Sequence, residues 1–489
     1  MAALPIGDPL TDPPDGPSYF AVSTYYDASA DSIGGVPGGR VWLIDYLGAS
    51  LPGWPAALPS IVTTPPVIAG LNPNATVFVG CADGRVYEIE LNGVLRAQMG
   101  PPLEGGVRGR LAVWRDPSSG AALVAAGGAD GEVAVFSNTA GPLPGGVSLW
   151  PRRLGGAGFA PDFLWLDFDG NGRPAGAAPT CATGVPALIV HHADWLWAFC
   201  PAGAALPGWG RSLGDTLVAG LGAGDPDGDG YAEVLTQSVA SRIAFIHQSG
   251  YPSPGWPRAA TREGFRTDSP ALALDVDGDR RAEVVALDAS GILAAFRGDG
   301  RVPAGWPLAT GVGAVGSPAA ADLDRDGRLE IVAPDRAVPA DLQADINGRF
   351  GTLYAYSLPP QVVDPVASSW PMLGGDPGRT SALPAARTAT APPAASGPLE
   401  GGSLHAFPNP ARRRPVSFAY RLTEPAEVDF TILDTSGHQV ASFTRSGRRS
   451  DNLEIWDPGP VPAGLYVARL RFRGASTTHS EAITLGLLR

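Results

Sequence analysis

The chain has 489 residues and a net charge of −13, and all 35 of its basic residues are arginine. Without lysine it is not a phosphate-loop NTPase, a Schiff-base enzyme or a protein kinase, each of which uses one. Glycine (65) and proline (50) make up nearly a quarter of the residues, but hydrophobic residues reach 44% and twelve are tryptophan, so the glycine and proline punctuate many short strands rather than marking disorder.

In chain order, the pattern is a repeat. Trp54, Trp150, Trp209, Trp256, Trp306 and Trp370 recur in turn-like settings such as LPGWP and PAGWP, at intervals of 96, 59, 47, 50 and 64 residues. The first interval is two periods, with the missing member near Met99, which gives seven units of about fifty residues, the size of a four-stranded propeller blade. Within a unit, a small-residue apolar run comes first (67–71, 111–114, 163–166, 217–221, 271–274, 319–321). A polar or acidic turn leads to a second run (76–79, 122–125, 187–190, 233–235, 283–285, 330–332). A third run alternates with an aromatic (41–44, 86–89, 133–136, 196–199, 243–246, 293–296, 353–356), and the Gly-Trp-Pro segment closes the unit as an outer strand. Runs of four to six residues bounded by Gly, Pro, Asp and Asn read as strands, and helical periodicity is absent. The expected fold is all-β, a seven-bladed β-propeller over 1–380. In its first unit, 19–22 and 41–44 supply the second and third strands and the first strand lies near 4–6. One Trp per blade is expected to pack between neighbouring blades rather than to form a ligand track.

Four consecutive units carry an acidic turn between first and second strands: DFDGNGRPA, DPDGDGYAE, DVDGDRRAE and DLDRDGRLE. A hard cation such as Ca²⁺ takes six to eight oxygens, which acids at loop positions 1, 3 and 5, a carbonyl at 7 and an acid at 9 can supply, with glycine at 6 for the bend. Asp225, Asp227, Asp229, Tyr231 (carbonyl) and Glu233 fill that template, as do Asp322, Asp324, Asp326, Arg328 (carbonyl) and Glu330. Asp275, Asp277, Asp279, Arg281 (carbonyl) and Glu283 have every ligand but carry Arg280 at the bend, so this loop is the less complete match. Asp167, Asp169 and Asn171 form a weaker version with Ala175 at position 9. Two to three structural Ca²⁺ sites are expected, set against the plainer reading of Asx-turns on a solvated rim. These loops, with the closing WPMLGGDPGRTS, resemble the FG-GAP/VCBS-type propellers, specifically in units four to seven and weakly before them. That resemblance implies a calcium-bearing extracellular propeller used for adhesion or ligand display.

Residues 381–400 are small, Pro-rich and nearly uncharged, as a linker is. From 401 to 489, strands are expected at 416–420, 428–433, 440–444, 453–456, 466–472 and 482–487, a small immunoglobulin-like β-sandwich. AFPNP, DTSGHQV, Trp456 and PAGLYVARL resemble the FlgD-like immunoglobulin-like domain and the related type IX secretion sorting domain. The latter would imply export, from which the short loop before Pro462 and the weakly basic end depart.

From Glu400 onward, eleven Arg face nine acids, so the rest of the chain carries −15, which disfavours a nucleic-acid partner. No stretch reaches 18 apolar residues, so no transmembrane helix is expected. The N-terminus lacks the build of a signal peptide, which fits a removed signal, a cytosolic protein or part of a longer product. Cys181 and Cys200 can pair within one blade of an exported chain or remain buried thiols, and the sequence leaves both open. No HExxH, GxSxG or dinucleotide loop is present. Adjacent His191 and His192 face opposite sides of a strand and do not share a metal. Three readings follow: a secreted or surface binding module for an extracellular protein or glycan, a carbohydrate-active enzyme with its site on a propeller face, and a self-assembling extracellular subunit.

Overall fold

The computed structural model describes residues 2–4, 19–23, 32–33, 36–45, 48–70, 74–116, 119–139, 143, 149–155, 160–167, 181, 185–217, 220–226, 232–240, 242–253, 255–259, 270–278, 281–288, 291–310, 317–321, 323, 328–334, 353–358, 372, 375, 382, 398–399, 404–407, 411–412, 415–475 and 477–488. Among them there is no α-helix, only a 3-10 turn at Ala129–Gly131, and no helix long and apolar enough to cross a membrane.

Seven antiparallel sheets follow one another in chain order, each a meander of sequential strands. Blade 1 is Ala2–Leu4, Tyr19–Ser23, Gly39–Ile44 and Ala56–Leu58; blade 2 is Val67–Ala69, Thr76–Gly80, Val86–Glu90 and Leu95–Met99. Blade 3 is Arg108–Arg115, Ala122–Gly127, Glu132–Ser137 and Arg152–Arg153; blade 4 is Asp162–Leu166, Ala187–His192, Trp195–Phe199 and Arg211–Ser212. Blade 5 is Gly222–Gly224, Glu233–Gln237, Arg242–Ile246 and Arg258–Ala259; blade 6 is Leu272–Leu274, Glu283–Leu287, Ile292–Phe296 and Leu308–Ala309. Blade 7 has three described strands, Ala319–Ala321, Glu330–Pro334 and Leu353–Ser357. The segment around Trp370, expected as its fourth, lies outside the described residues.

First strands of blades 1 and 2, 2 and 3, 3 and 4, and 5 and 6 lie against one another. Where a second strand ends against the next blade, small residues are required: a Cβ on Gly80 would come within 2.4 Å of Val107 Cγ1, and one on Gly127 within 2.8 Å of Pro161. The same demand accounts for a departure in blade 5. The apolar run 217–221 reads as its first strand, but the strand is Gly222–Gly224, and Leu217 makes only a single bridge to Ser238. Two glycines around an alanine have little β propensity, so pairing with Glu233–Leu235 and burial against the first strand of blade 6 override it here. In blade 1 the first strand is Ala2–Leu4, two residues earlier than expected, and a short hairpin, Ser32–Ile33 with Val36–Pro37, is inserted before the third strand.

Each of Trp54, Trp150, Trp209, Trp256 and Trp306 stands two residues before its blade's fourth strand. Four of these indoles donate forward into the next blade, to a backbone carbonyl just past its third strand: Trp54 to Leu91 (2.8 Å), Trp150 to Pro201 (2.6 Å), Trp209 to Gln248 (3.0 Å) and Trp256 to Gly298 (2.7 Å). The expectation that these residues pack between blades therefore gains a polar component. In blade 2 buried Met99, on the fourth strand, fills the place apolarly. A second lock crosses blades 3, 4 and 5. Buried Asp162 pairs with Arg110 at 3.0 Å and accepts the N–H groups of Gly220 (2.5 Å) and Leu221 (3.1 Å). Cys181 and Cys200 form a disulfide with a Cα–Cα distance of 5.2 Å, and Cys81 is a buried free thiol.

The C-terminal residues form two sheets: His405–Phe407, Val416–Leu422 and Ser450–Trp456, and opposite them Ala411–Arg412, Thr478–Leu488, Gly464–Arg473, Ala426–Asp434 and Gln439–Gly447. Strict alternation along Gly464–Arg473 turns Tyr466, Ala468, Leu470 and Phe472 inward onto Phe418, Tyr420 and Phe430, a separate core. All six strands expected here form, mostly longer by a few residues. The linker lies almost wholly outside the described residues.

Candidate metal centre

Second strands of blades 5, 6 and 7 begin on Glu233, Glu283 and Glu330, which are buried at 0%, 0% and 5% exposure. At the same register position blades 2, 3 and 4 carry Thr76, Ala122 and Ala187. Three neighbouring blades thus sink a carboxylate at the foot of the acidic turn. Two of these do the same local work. Glu283 Oε2 accepts the N–H of Val276 at 2.9 Å, and Glu330 Oε2 accepts the N–H of Leu323 at 2.8 Å, in each case the second residue of the loop. Each glutamate therefore ties the second residue of its loop back to the second strand through one oxygen.

In blade 6 the loop is described far enough to judge. Carboxylate oxygens of Asp275, Asp277 and Glu283 lie within 4.8 Å of one another. Oxygens sharing one ion at 2.3–2.6 Å stand at most about 5 Å apart, so these three fit a single calcium-sized cation. Asp275 is buried and accepts the N–H of Gly278, three residues on, at 2.7 Å, which helps close the bend. Gly278, the fourth residue of the loop, has φ +82°, a left-handed conformation that glycine adopts at no steric cost. Asp277 Oδ1 is buried and has no hydrogen-bond partner among the described residues. A buried anionic oxygen left so is costly, and a cation relieves the cost.

Arg297 was not foreseen from the sequence. Its Nε donates to Asp277 Oδ2 at 2.7 Å, and its Nη2 pairs with the same oxygen. It occupies the outward oxygen of Asp277 and leaves Oδ1 to the loop, fixing the carboxylate while neutralising part of its charge. Arg297 follows the third strand of the same blade, twenty residues from Asp277, and no local pattern links the two.

Of the remaining expected ligands, Asp225 is described and its carbonyl accepts the Ala282 N–H at 2.9 Å, which ties the blade 5 loop to the residue before Glu283. Arg281 and Arg328, expected as carbonyl donors, stand two residues before Glu283 and Glu330. Asp227, Asp229, Tyr231, Asp279, Asp322, Asp324 and Asp326 lie outside the described residues, as do Asp169 and Asn171. Asp167 is described, but its blade's second strand starts only at Ala187, so that turn is much longer than the nine-residue template.

Residues 275–333 match the FG-GAP-like repeat, a stretch that begins at Asp275 and spans this cluster. Among solved structures the chain is similar to the computationally designed Ika8 protein (15% identity over 69% of this chain and 82% of that one, TM-score 0.40) and to BamB from Moraxella catarrhalis (17%, 60% and 77%, TM-score 0.36). It is also similar to the V. cholerae biofilm matrix protein Bap1 (14%, 99% and 66%, TM-score 0.37). No curated protein matches it in sequence.

Proposed function

We propose that the chain is a secreted or cell-surface binding protein of a bacterium, with a closed seven-bladed propeller stabilised by calcium and a small immunoglobulin-like sandwich behind it. The observation that carries the reading is the Asp275–Asp277–Glu283 cluster inside the FG-GAP-like repeat, whose Asp277 Oδ1 is buried with no hydrogen-bond partner among the described residues. Export is supported by the Cys181–Cys200 disulfide, since such bonds persist in oxidising compartments. Ring closure is supported by blade 7. Leu353 is 67% exposed, whereas its register counterpart in blade 6, Leu293, is fully buried, and packing blade 1 against blade 7 would cover it. The immunoglobulin-like reading is supported by Tyr466, whose hydroxyl donates back to the Pro462 carbonyl at 2.8 Å, as in a tyrosine corner.

A site with a dissociation constant of about 0.1 mM would contribute on the order of 1 kcal/mol at millimolar calcium. The test is thermal unfolding with calcium and then with excess chelator, alongside metal analysis of the purified protein. One to three bound calcium ions and a midpoint several degrees lower in chelator are expected. No bound metal and an unchanged midpoint would leave the loops as bare turns.

A further inference from the structure

Trp195 is not among the indoles that latch one blade to the next. It opens the third strand of blade 4 and is 42% exposed, the one large apolar side chain left so among the described residues of that blade. Its ring stacks on that of Trp197, with centroids 5.6 Å apart and planes 19° from parallel. Trp197 is partly buried against the core shared by blades 3 and 4, so Trp195 is the outer member of the pair. The repeat calls for neither ring. At the same register positions blade 5 carries Arg242 and Ala244 and blade 6 carries Ile292 and Ala294, so a methyl group suffices where Trp197 stands.

The turn that presents Trp195 is held rigidly. Ala193 has φ +56°, a conformation that a residue with a Cβ adopts only when its surroundings impose it. Its carbonyl accepts the Leu217 N–H at 3.0 Å and lies 3.0 Å from His191 Nε2, and the Asp194 carbonyl accepts the Leu213 N–H at 2.8 Å. The Ser212 hydroxyl donates to Asp194 Oδ2 and accepts the Gly214 N–H at 3.0 Å. Ser212 is paired with Trp195, so the two side chains share a face, and beside Trp197 Gly210 offers no side chain to cover the rings. The platform is therefore formed in advance, and little ordering is left for a ligand to impose.

Size and polarity select the occupant. One indole offers at most about 150–250 Å², against about 800 Å² per partner in a stable protein interface. Its neighbours on the turn are polar, so the surface suits a small ring with an apolar face and a hydroxyl rim rather than an apolar peptide. The electron-rich indole face attracts partly positive C–H groups, which a pyranose with equatorial hydroxyls presents on its faces. Ser212 occupies one oxygen of Asp194 and leaves Oδ1 as an acceptor on the residue next to Trp195. That carboxylate, and the −15 carried before Glu400, disfavour an anionic sugar.

We propose that Trp195, backed by Trp197, is a stacking platform for a neutral glucose-type pyranose of an extracellular glycan. This names the ligand class of the binding reading above and rests on it. The test is calorimetric titration of the full chain with cellohexaose and with the glucuronate hexamer of the same linkage, in calcium and again in excess chelator. Cellohexaose is expected to bind at least tenfold more tightly than its charged counterpart. Trp195→Ala should weaken it at least tenfold, and Trp195→Tyr, which keeps a stacking face, less than threefold, both with the parent's unfolding midpoint. No binding of cellohexaose, equal or tighter binding of the glucuronate hexamer, or Trp195→Ala binding like the parent each overturns the assignment. Cellohexaose binding by a protein that holds no metal and is indifferent to chelator would keep the platform and remove calcium. Bound calcium without cellohexaose binding would remove the platform alone.

Discussion

The indole N–H of Trp256 in blade 5 donates to the carbonyl of Gly298 in blade 6, 42 residues downstream and 2.7 Å away. The ring is 6% exposed and stands edge-on to Phe245 of its own blade and Phe296 of the next. Trp256→Phe keeps most of the packing and orphans the carbonyl, an expected loss of about 1–3 kcal/mol. Trp256→Ala also opens a cavity, and about 3–5 kcal/mol is expected. Denaturant midpoints for the two variants check the order, and equal losses would assign the whole effect to packing.

Calcium affinity should respond to Arg297 in the direction opposite to the ligands. Glu283→Gln keeps an oxygen for the Val276 N–H and removes a charge from the loop, so binding should weaken at least tenfold with little change in the metal-free protein. Arg297→Gln takes a cation away from Asp277 and should tighten calcium severalfold. Titration followed by calorimetry reads both, and weaker binding in Arg297→Gln would mean that its positioning of Asp277 outweighs its charge.

Acid sensitivity should begin with a histidine. Burial lowers the His191 pKa, with Asp162 opposing that shift. Folding therefore favours the neutral ring; its contribution is complete above the unfolded value of about 6.5 and is lost as pH falls toward the folded one. Burial would raise Asp162, but Arg110, His191 and the N–H groups of Leu221 and Gly220 outweigh it and hold the carboxyl low, so its contribution is lost only at more acid pH. Gln237 holds the register position in blade 5 that His191 holds in blade 4, so the site accepts glutamine. His191→Gln should flatten the fall in stability that sets in as pH drops below about 6.5. A slope identical to the parent's would place the titrating group elsewhere. Asp162→Ala, which strands Arg110, should cost about 3–5 kcal/mol at neutral pH.

Reducing the Cys181–Cys200 bond frees a loop of 19 residues in sequence separation, for which about 3 kcal/mol is expected from chain entropy. Cys181→Ser with Cys200→Ser should match the reduced protein in unfolding midpoint. A larger loss in the double variant would point to packing around the cysteines.

Much of this architecture was legible from residue order because each blade repeats the same local grammar. The third strands at 86–89, 243–246 and 293–296 fall within Val86–Glu90, Arg242–Ile246 and Ile292–Phe296. The carboxylates at Asp275, Asp277 and Glu283 were legible by spacing alone, because a single loop brings them together. What escaped lies between blades or between distant turns. The indole acceptors are backbone carbonyls 37 to 51 residues away, which have no side-chain signature. Arg297 and the Arg110–Asp162 pair depend on blade register, and Gly222–Gly224 is a strand made by its surroundings.

All four indole latches point the same way along the chain, from each blade to its successor. During synthesis, therefore, a blade emerges with its donor in place and its acceptor still unmade. At about 5–20 residues per second, the missing carbonyl arrives roughly 2 to 10 s later. As each of blades 1, 3, 4 and 5 emerges, the nascent protein thus carries an unfinished seam at its growing end, which closes when the next blade appears.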